Sequence, residues 1–294
     1  MPFKDLCLAL LVIIAWGLNF IVIKYGLDGL PPMLLGALRF TLVAIPAVFF
    51  IRRPQLPWFW LLAYGATISF GQFAFLFESM AHGMPPGLAS LLLQAQAFFT
   101  LLFAAIFIGE KLRVYSVAGL IIAAGGLTLI GMGTGAATPL LAVLLVLCAA
   151  SMWALGNIIT RRFGNVDLVA LVVWGAIVPP LPFLAMSLWL EGPALIEHSL
   201  LNLGWSSVLS LAYLAFVATL FGYISWSKLL SRYPAGKVAP FSLLVPVVGL
   251  SSSALVLGER LSLLQCAGGM LVMLGLTVNL LGPKLFGRGR RAVA

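Results

Sequence analysis

The chain has 294 residues, of which 62% are hydrophobic and 9% charged, and its mean hydropathy is +1.13. These values exclude a soluble globular protein and indicate a membrane protein with several spans. The net charge of +9 does not indicate nucleic-acid binding, because the basic residues form short clusters between apolar runs without interleaved aromatic residues. Cys7, Cys148 and Cys266 lie within apolar runs at spacings that fit neither a disulfide framework nor a metal site, and we interpret them as small buried hydrophobes.

Division of the chain at its Gly, Pro and charged interruptions predicts ten spans of about 20 residues, the length that crosses a bilayer. They lie near residues 5–24, 33–51, 58–80, 86–108, 114–132, 139–160, 168–190, 205–230, 237–257 and 262–281. The first span has only Lys4 as a basic flank and no A-x-A-like cleavage site, so we expect it to be retained. The connections are too short for a soluble domain, and the function is expected within the bundle.

The basic residues predict the orientation, because Lys and Arg accumulate in cytoplasmic loops. With both termini in the cytoplasm, 14 of the 17 Lys and Arg residues fall on the cytoplasmic side and only Lys24 and Arg260 fall in outer loops. The cytoplasmic set is Lys4, Arg52, Arg53, Lys111, Arg113, Arg161, Arg162, Lys228, Arg232, Lys237, Lys284, Arg288, Arg290 and Arg291. A miscount of one span would destroy this asymmetry.

An internal repeat relates the two halves of the chain. Residues 84–112 align with residues 233–261 at a constant offset, so that the motif GEKL falls on GERL. Each repeat holds five spans, an odd number, so the second repeat crosses the membrane in the opposite sense. We expect the repeats at 1–135 and 136–284, followed by a basic cytoplasmic tail at 285–294. Two halves of opposite sense are typical of secondary transporters, in which they expose one central site to either side in turn.

Several motifs carry a resemblance to a known family. They are WGLNFIVIK from Trp16, the pair Arg39 and Phe40, PPGLASLLLQAQAFF from Pro85, the GEKL and GERL turns, and VAPFSLLVPVVGL from Val238. Over essentially its whole length the chain resembles the EamA family of the drug/metabolite transporter superfamily. Within that family it looks closest to bacterial exporters of cysteine and O-acetylserine, with aromatic and other amino acid exporters as near relatives.

The resemblance implies an all-α basket of ten helices in the bacterial inner membrane. Its central cavity would be lined chiefly by helices 1, 3, 4, 6, 8 and 9, with helices 5 and 10 at the periphery. The implied partners are a small-molecule substrate, an amino acid or related metabolite, and the lipid bilayer; no cofactor, metal or nucleic acid is expected. Small residues such as Gly119 and Ala123 would allow close packing within the bundle or a weak homodimer, so a monomer and a weak homodimer both stay open.

Polar and aromatic residues inside the spans are the candidates for a central site. Trp16 lies about ten residues into the first span, roughly 15 Å deep, which places it near the midplane. Asn19 shares its helix face, and Trp153 with Asn157 repeats the arrangement in the sixth span. The alternative that each Asn only bonds a neighbouring helix stays open. The predicted cavity residues are Trp16, Asn19, Ser69, Gln72, Gln94, Trp153, Asn157, Tyr223, Trp226 and Ser242.

The spacing of the other candidates supports these assignments. Ser69 and Gln72 are at i and i+3 and share a helix face. Tyr223 and Trp226 form a stripe on the eighth span, which we expect to face the cavity; the alternative is that this stripe faces lipid or the membrane interface. Gln94 and Gln96 are about 200° apart on an α-helix, so at most one faces the cavity squarely and the other bonds a neighbouring helix. We favour Gln94 as the cavity residue.

A second group of residues is expected to have structural or gating roles. Arg39 and Glu78, the two charged residues within spans, are expected to pair or to reach the outer surface. Pro240 and Pro246 would bend or hinge the ninth span, and Gly109 and Gly258 would end their helices. Because no Asp, Glu or His lies near the midplane, we expect transport to follow the substrate gradient or to couple weakly to protons at the periphery.

The sequence therefore predicts export of a small metabolite by alternating access around a central cavity. A broad-specificity drug extruder is the alternative within the same class, although its usual acidic residue in an aromatic cage is missing. An intramembrane enzyme is disfavoured, because His82 and His198 fall in outer loops and no catalytic residue or metal ligand set is evident within the spans.

Overall fold

A computed structural model describes residues 1–133, 138–163 and 166–286 of the chain. Over these residues it is all helical, with nine helices long and apolar enough to cross a membrane and a shorter apolar helix of 17 residues. The helices are α1 (Phe3–Leu27), α2 (Pro32–Val48), α3 (Trp58–Ala81), α4 (Pro86–Ile108), α5 (Val114–Gly133), α6 (Leu140–Phe163), α7 (Leu168–Glu191), α8 (Trp205–Arg232), α9 (Pro240–Leu257) and α10 (Leu263–Phe286). The predicted all-α, ten-helix fold is confirmed. The expected tail, 285–294, lies outside the described residues from 287 onward.

The helix packing follows the internal repeat. We call the membrane face at which α1 begins the first face, and the face at which α1 ends the second face. Helix α3 packs on α6 as α8 packs on α1, and α4 packs on α6 as α9 packs on α1. Helices α2 and α7 pack against each other, as do α5 and α10, which are equivalent partners from the two repeats. The packing partners of the first repeat thus recur in the second.

The same irregular turns occur at equivalent places in the two repeats. Helix α3 contains a π-helical segment at Gly65–Gly71, and α8 contains one at Tyr213–Phe221. Helix α4 contains a 3₁₀ turn at Leu93–Ala95, and α9 begins with one at Ala239–Leu243, where Pro240 lacks a backbone donor. These turns change the rotation per residue and leave backbone carbonyls free for other partners.

Glycines let α5 and α10 approach until their backbones touch. A Cβ built on Gly126 would lie 2.5 Å from the carbonyl oxygen of Gly268, and one on Gly119 would lie 2.6 Å from that of Gly275. The reverse distances, from Gly268 to Gly126 and from Gly275 to Gly119, are both 2.5 Å. Close backbone approach through small residues is the usual device of helix association in lipid. The small residues of the fifth span thus pack within the bundle.

The perimeter of the bundle is apolar, as a lipid-facing surface requires. Leu255 is 86% exposed and Trp189 is 80% exposed. Cys148 and Cys266 are also exposed and Cys7 is half-buried, so the interpretation of the cysteines as buried side chains was wrong. The reason is that, in a bilayer, an apolar run gives no indication of whether a residue faces protein or lipid.

Candidate functional site

A cavity of about 510 Å³ lies between the two halves of the bundle. This volume is within the range of small-molecule sites, about 300–1,000 Å³. Among the described residues, α5 and α10 contribute none to its lining, whereas α2 and α7 do, through Arg39, Leu168, Leu171 and Val172. Nine of the ten predicted cavity residues line it, namely Trp16, Asn19, Gln72, Gln94, Trp153, Asn157, Tyr223, Trp226 and Ser242.

The cavity has a buried end and a half-exposed end. Arg39, Gln72 and Ser90 are only 1–2% exposed and form the deep end. Thr160 and Ser227 lie near the ends of α6 and α8 at the first face and are partly exposed. The cavity is therefore accessible from the first face, and its deep end lies at the middle of the bundle.

Close packing of α4 on α9 closes the cavity toward the second face. Ser90 Oγ lies 2.5 Å from the position of a Cβ on Gly249, so the two helices touch without room for larger side chains. Beyond that contact, the Glu259 carboxylate accepts a hydrogen bond of 3.1 Å from the backbone N–H of Gly87 at the start of α4. A carboxylate at a helix N-terminus is favoured by unpaired N–H groups and by the helix dipole. We call this contact the second-face latch.

At the first face, the repeat counterpart of the latch glutamate has a different partner. Glu110, the counterpart of Glu259, forms an exposed ion pair with Arg161 at 2.9 Å, which joins the ends of α4 and α6. Gly109 and Gly258, which precede the two glutamates, end α4 and α9 in the left-handed conformation at φ of 74° and 66°. The two ends of the bundle thus differ although their sequences repeat.

Burial affects the titration of the latch. Partial burial raises the pKa of the Glu259 carboxyl, while the hydrogen bond from the Gly87 N–H lowers that pKa by a smaller amount. The net pKa lies above the usual range of a glutamate. The latch carboxylate therefore becomes protonated at a higher pH than a fully exposed glutamate would.

Ser69 does not line the cavity, contrary to the prediction. It is buried within the π-helical segment of α3, and that helix lines the cavity through Tyr64, Ile68, Gln72, Phe73 and Leu76. A π-helical turn holds more residues than an α-helical turn, so a face defined by a spacing of three does not persist through it. The expected shared face of Ser69 and Gln72 was based on regular α-helical geometry.

Gln94 and Gln96 both line the cavity, whereas at most one was expected to. On a regular α-helix the two side chains are about 200° apart, which is about 160° measured around the other side. The 3₁₀ turn at Leu93–Ala95 advances about 120° per residue and reduces that smaller angle to about 120°. Gln94 Nε2 donates to the carbonyl of Ser242 at 3.4 Å, and Gln96 Oε1 accepts from Asn157 Nδ2 at 3.3 Å. Gln96 thus bonds a neighbouring helix, as expected, and faces the cavity as well.

The tryptophan of the first span joins the two halves. Trp16 Nε1 donates to the carbonyl of Ala218 at 2.9 Å, within the π-helical segment of α8. Its ring lies against Tyr223 and Trp226, with centroids 5.5 and 5.3 Å away. The stripe of α8 therefore faces the cavity and not lipid.

The two asparagines differ in their contacts. Asn157 Nδ2 donates to Thr100 Oγ1 at 3.1 Å in addition to its bond to Gln96, so it holds α6 against α4 while lining the cavity. Asn19 is 8% exposed, and its Oδ1 is buried without a hydrogen-bond partner among the described residues. Gln72 Oε1 is in the same state. These two acceptors are available to a ligand.

Arg39 is a cavity residue, and its expected pairing with Glu78 was wrong. Its Nη2 donates to Thr219 Oγ1 on α8 at 3.0 Å, and its guanidinium carbon lies 4.1 Å from the centre of the Phe73 ring. Glu78 instead faces His82, with Oε2 and Nδ1 3.4 Å apart. The position of Arg39 along α2 indicates how deep it lies in the membrane. Its direction toward the cavity depends on the packing of α2 against α7 and α8.

The fold and the central cavity define a multi-pass membrane transporter of the inverted-repeat kind. The chain belongs to the EamA-like transporter family, which matches it twice, at residues 4–132 and 140–281.

Two relatives are similar to this chain over almost its whole length. A protein of Escherichia coli (strain K12) named "Probable amino-acid metabolite efflux pump" is 50% identical over 296 residues, covering 99% of this chain and 98% of its own. A protein of the same name from Salmonella typhimurium (strain LT2) is 52% identical over 285 residues, covering 95% of each chain. A solved crystal structure with 22% sequence identity superimposes with a TM-score of 0.63 over 97% of this chain and 99% of its own, which supports the fold.

Proposed function

We propose that this protein exports amino acids or related small metabolites across the bacterial inner membrane by alternating access. The observation that carries the proposal is the central cavity, which is accessible from one face and closed at the other by packing of repeat-equivalent helices. The names of the two relatives supply the substrate class. Exchange of conformation between two halves of opposite sense would close the first face and open the second.

The direction of transport depends on the orientation. We propose that both termini lie in the cytoplasm, because the positive-inside rule then accounts for 14 of the 17 basic residues. The first face is then cytoplasmic, and the structure corresponds to the state that takes up substrate from the cell interior. The repeats 1–135 and 136–284 are the proposed moving halves, and transport follows the substrate gradient.

Two other functions fit the cavity less well. An extruder of hydrophobic amines would need an anionic partner in its site. Arg39 is the one charged residue among the described residues that line the cavity, and it carries the wrong sign for a cationic drug. An enzyme would need a nucleophile with a base, or a metal. Transport is therefore proposed as the activity, and enzymatic activity is not.

Efflux from proteoliposomes loaded with a mixture of the 20 labelled L-amino acids tests the proposal. We expect faster release of one or more of them than from protein-free liposomes, and slower release from Asn19→Ala, Gln72→Ala and Trp153→Ala. The matched control is Asn202→Ala, an exposed asparagine outside the cavity. Release at the protein-free rate for every amino acid refutes the function. Wild-type rates in all three variants refute the site, and accumulation against a gradient under an imposed pH difference refutes gradient-driven transport.

A further inference from the structure

The Arg39 guanidinium is a buried cation without an anion. Its Nε and Nη1 atoms are buried and have no hydrogen-bond partner among the described residues, and its one hydrogen bond is to a neutral hydroxyl. None of the ion pairs in the described part of the chain includes it. A charged residue inside a membrane bundle is costly and is usually paired or lines a substrate path.

The carboxylates at the neighbouring helix ends have other partners. Glu78 faces His82, and Glu191 accepts hydrogen bonds from the backbone N–H groups of Met33 and Leu34 at 2.6 and 3.2 Å. Glu191 therefore caps the start of α2 and does not reach the middle of that helix, where Arg39 lies. These two carboxylates thus leave Arg39 without a counter-ion.

The chemistry of the site selects a carboxylate. A guanidinium presents its donors in a planar fork that matches carboxylate or phosphate oxygens. A phosphate carries up to two negative charges, and no second cation lines the described cavity. The rings of Phe73 and Phe40, whose centres lie 4.1 and 5.4 Å from the guanidinium carbon, hold the fork in place. A singly charged carboxylate pairs one-to-one with the Arg39 guanidinium.

The same deep end offers acceptors for an ammonium group. The unpartnered Asn19 Oδ1 and Gln72 Oε1 both line the cavity with Arg39. Both are neutral amide oxygens, which accept hydrogen bonds from an ammonium without adding a charge. The faces of Trp16, Tyr223 and Trp226 lie toward the mouth and suit an apolar or polarizable side chain.

We infer that the deep end is a zwitterion site, in which Arg39 binds the α-carboxylate of the ligand while Asn19 and Gln72 accept hydrogen bonds from its α-ammonium group. This inference rests on the proposed function and narrows its substrate class to amino acids with a free carboxylate. Amides, esters and amines that lack the carboxylate leave Arg39 unpaired and are rejected.

The first test uses the wild-type protein and requires no substitution. Efflux of the 20 labelled L-amino acids is measured from proteoliposomes while the loaded lumen also contains an excess of either the unlabelled amino acids, their carboxamides, or inorganic phosphate. We expect the amino acids to compete at least about tenfold better than the carboxamides, because a lost hydrogen bond to a charged group has an effect of about 10- to 100-fold. Phosphate is expected not to compete.

The outcomes separate this inference from the proposed function. If efflux occurs and the amino acids and their carboxamides compete equally, the zwitterion site is overturned and the proposed export stands. Competition by phosphate equal to that of the amino acids assigns Arg39 to phosphate and overturns the inference as well. Absence of any amino acid efflux refutes the proposed function, and the inference with it.

The second test uses Arg39→Gln and Arg39→Lys, with Arg52→Gln, an exposed arginine, as the matched control. We expect Arg39→Gln to lose the preference for acids over carboxamides, Arg39→Lys to keep part of it, and Arg52→Gln to keep all of it. A purely structural role of Arg39 would lower all rates and leave the preference unchanged, which overturns the inference. If Arg39→Gln fails to fold, the wild-type comparison and Arg39→Lys still decide.

Discussion

The second-face latch provides a quantitative test of alternating access. Substitution Glu259→Ala removes the acceptor of the hydrogen bond from the Gly87 N–H at the start of α4. Loss of a side-chain acceptor at a helix N-terminus costs about 0.5–2 kcal/mol, typically about 1 kcal/mol. The substitution is therefore expected to cost the closed second face about 1 kcal/mol. The population open to the second face should rise about fivefold.

The assay is chemical labelling from the second face. Ser90, which is 2% exposed behind the latch, is replaced by Cys in a background with Cys7, Cys148 and Cys266 changed to Ser. A membrane-impermeant thiol reagent is added to intact cells, where under the proposed orientation it reaches only that face. We expect Ser90→Cys to react about fivefold faster when Glu259→Ala is also present.

The repeat supplies the control for this experiment. Glu110→Ala changes the equivalent position at the first face, where the carboxylate forms an exposed ion pair with Arg161. Many exposed pairs contribute no more than about 0.4 kcal/mol, which corresponds to a change in labelling of less than about twofold. Equal labelling with and without Glu259→Ala, in proteins of unchanged thermal stability, would refute the role of the latch.

Three further predictions concern pH and packing. Because burial makes the pKa of Glu259 higher in the closed state than in a solvent-exposed one, the closed second face binds the proton more tightly, and lowering the pH toward that pKa should slow the labelling of Ser90→Cys. The slowing should be absent with Glu259→Ala, which also controls for the effect of pH on the thiol. Substitution Gly126→Ala places a Cβ 2.5 Å from a backbone oxygen of α10 and should lower the free energy of unfolding by about 1–3 kcal/mol. The adjacent Gly125→Ala is the control, because its Cβ meets nothing within 4 Å, and it should raise the midpoint of thermal unfolding slightly. Thermal unfolding in detergent measures both variants, and an equal effect of the two would contradict the close α5–α10 contact. Trp16→Phe removes the N–H that donates to Ala218 and should slow efflux without unfolding the bundle, while an unchanged rate would assign Trp16 to packing alone.

The cavity illustrates what regular helix geometry can predict. Nine of the ten predicted residues line it, because polar and aromatic side chains deep in apolar spans have few other places to lie. Ser69 and Gln96 differ from the prediction, since each lies in or next to a segment that is not α-helical and the rotation per residue changes there. Nothing in the local hydropathy indicates a π-helical turn. Once the structure is known, the two repeats support each other, because the non-α-helical turns occur at equivalent positions in both.

The sequence by itself determined the number of spans, the two inverted repeats and the membrane class. These properties depend on local hydropathy and on counting, and neither requires knowledge of which helices touch. Only the tertiary structure decided that Arg39 faces the cavity without an ion pair, that α4 and α9 close one face, and that Glu259 and Glu110 have different partners. These features depend on the rotation and contact of helices that are distant in the chain. Lipid is as apolar as the protein interior, so hydropathy does not indicate which face of a helix packs against protein.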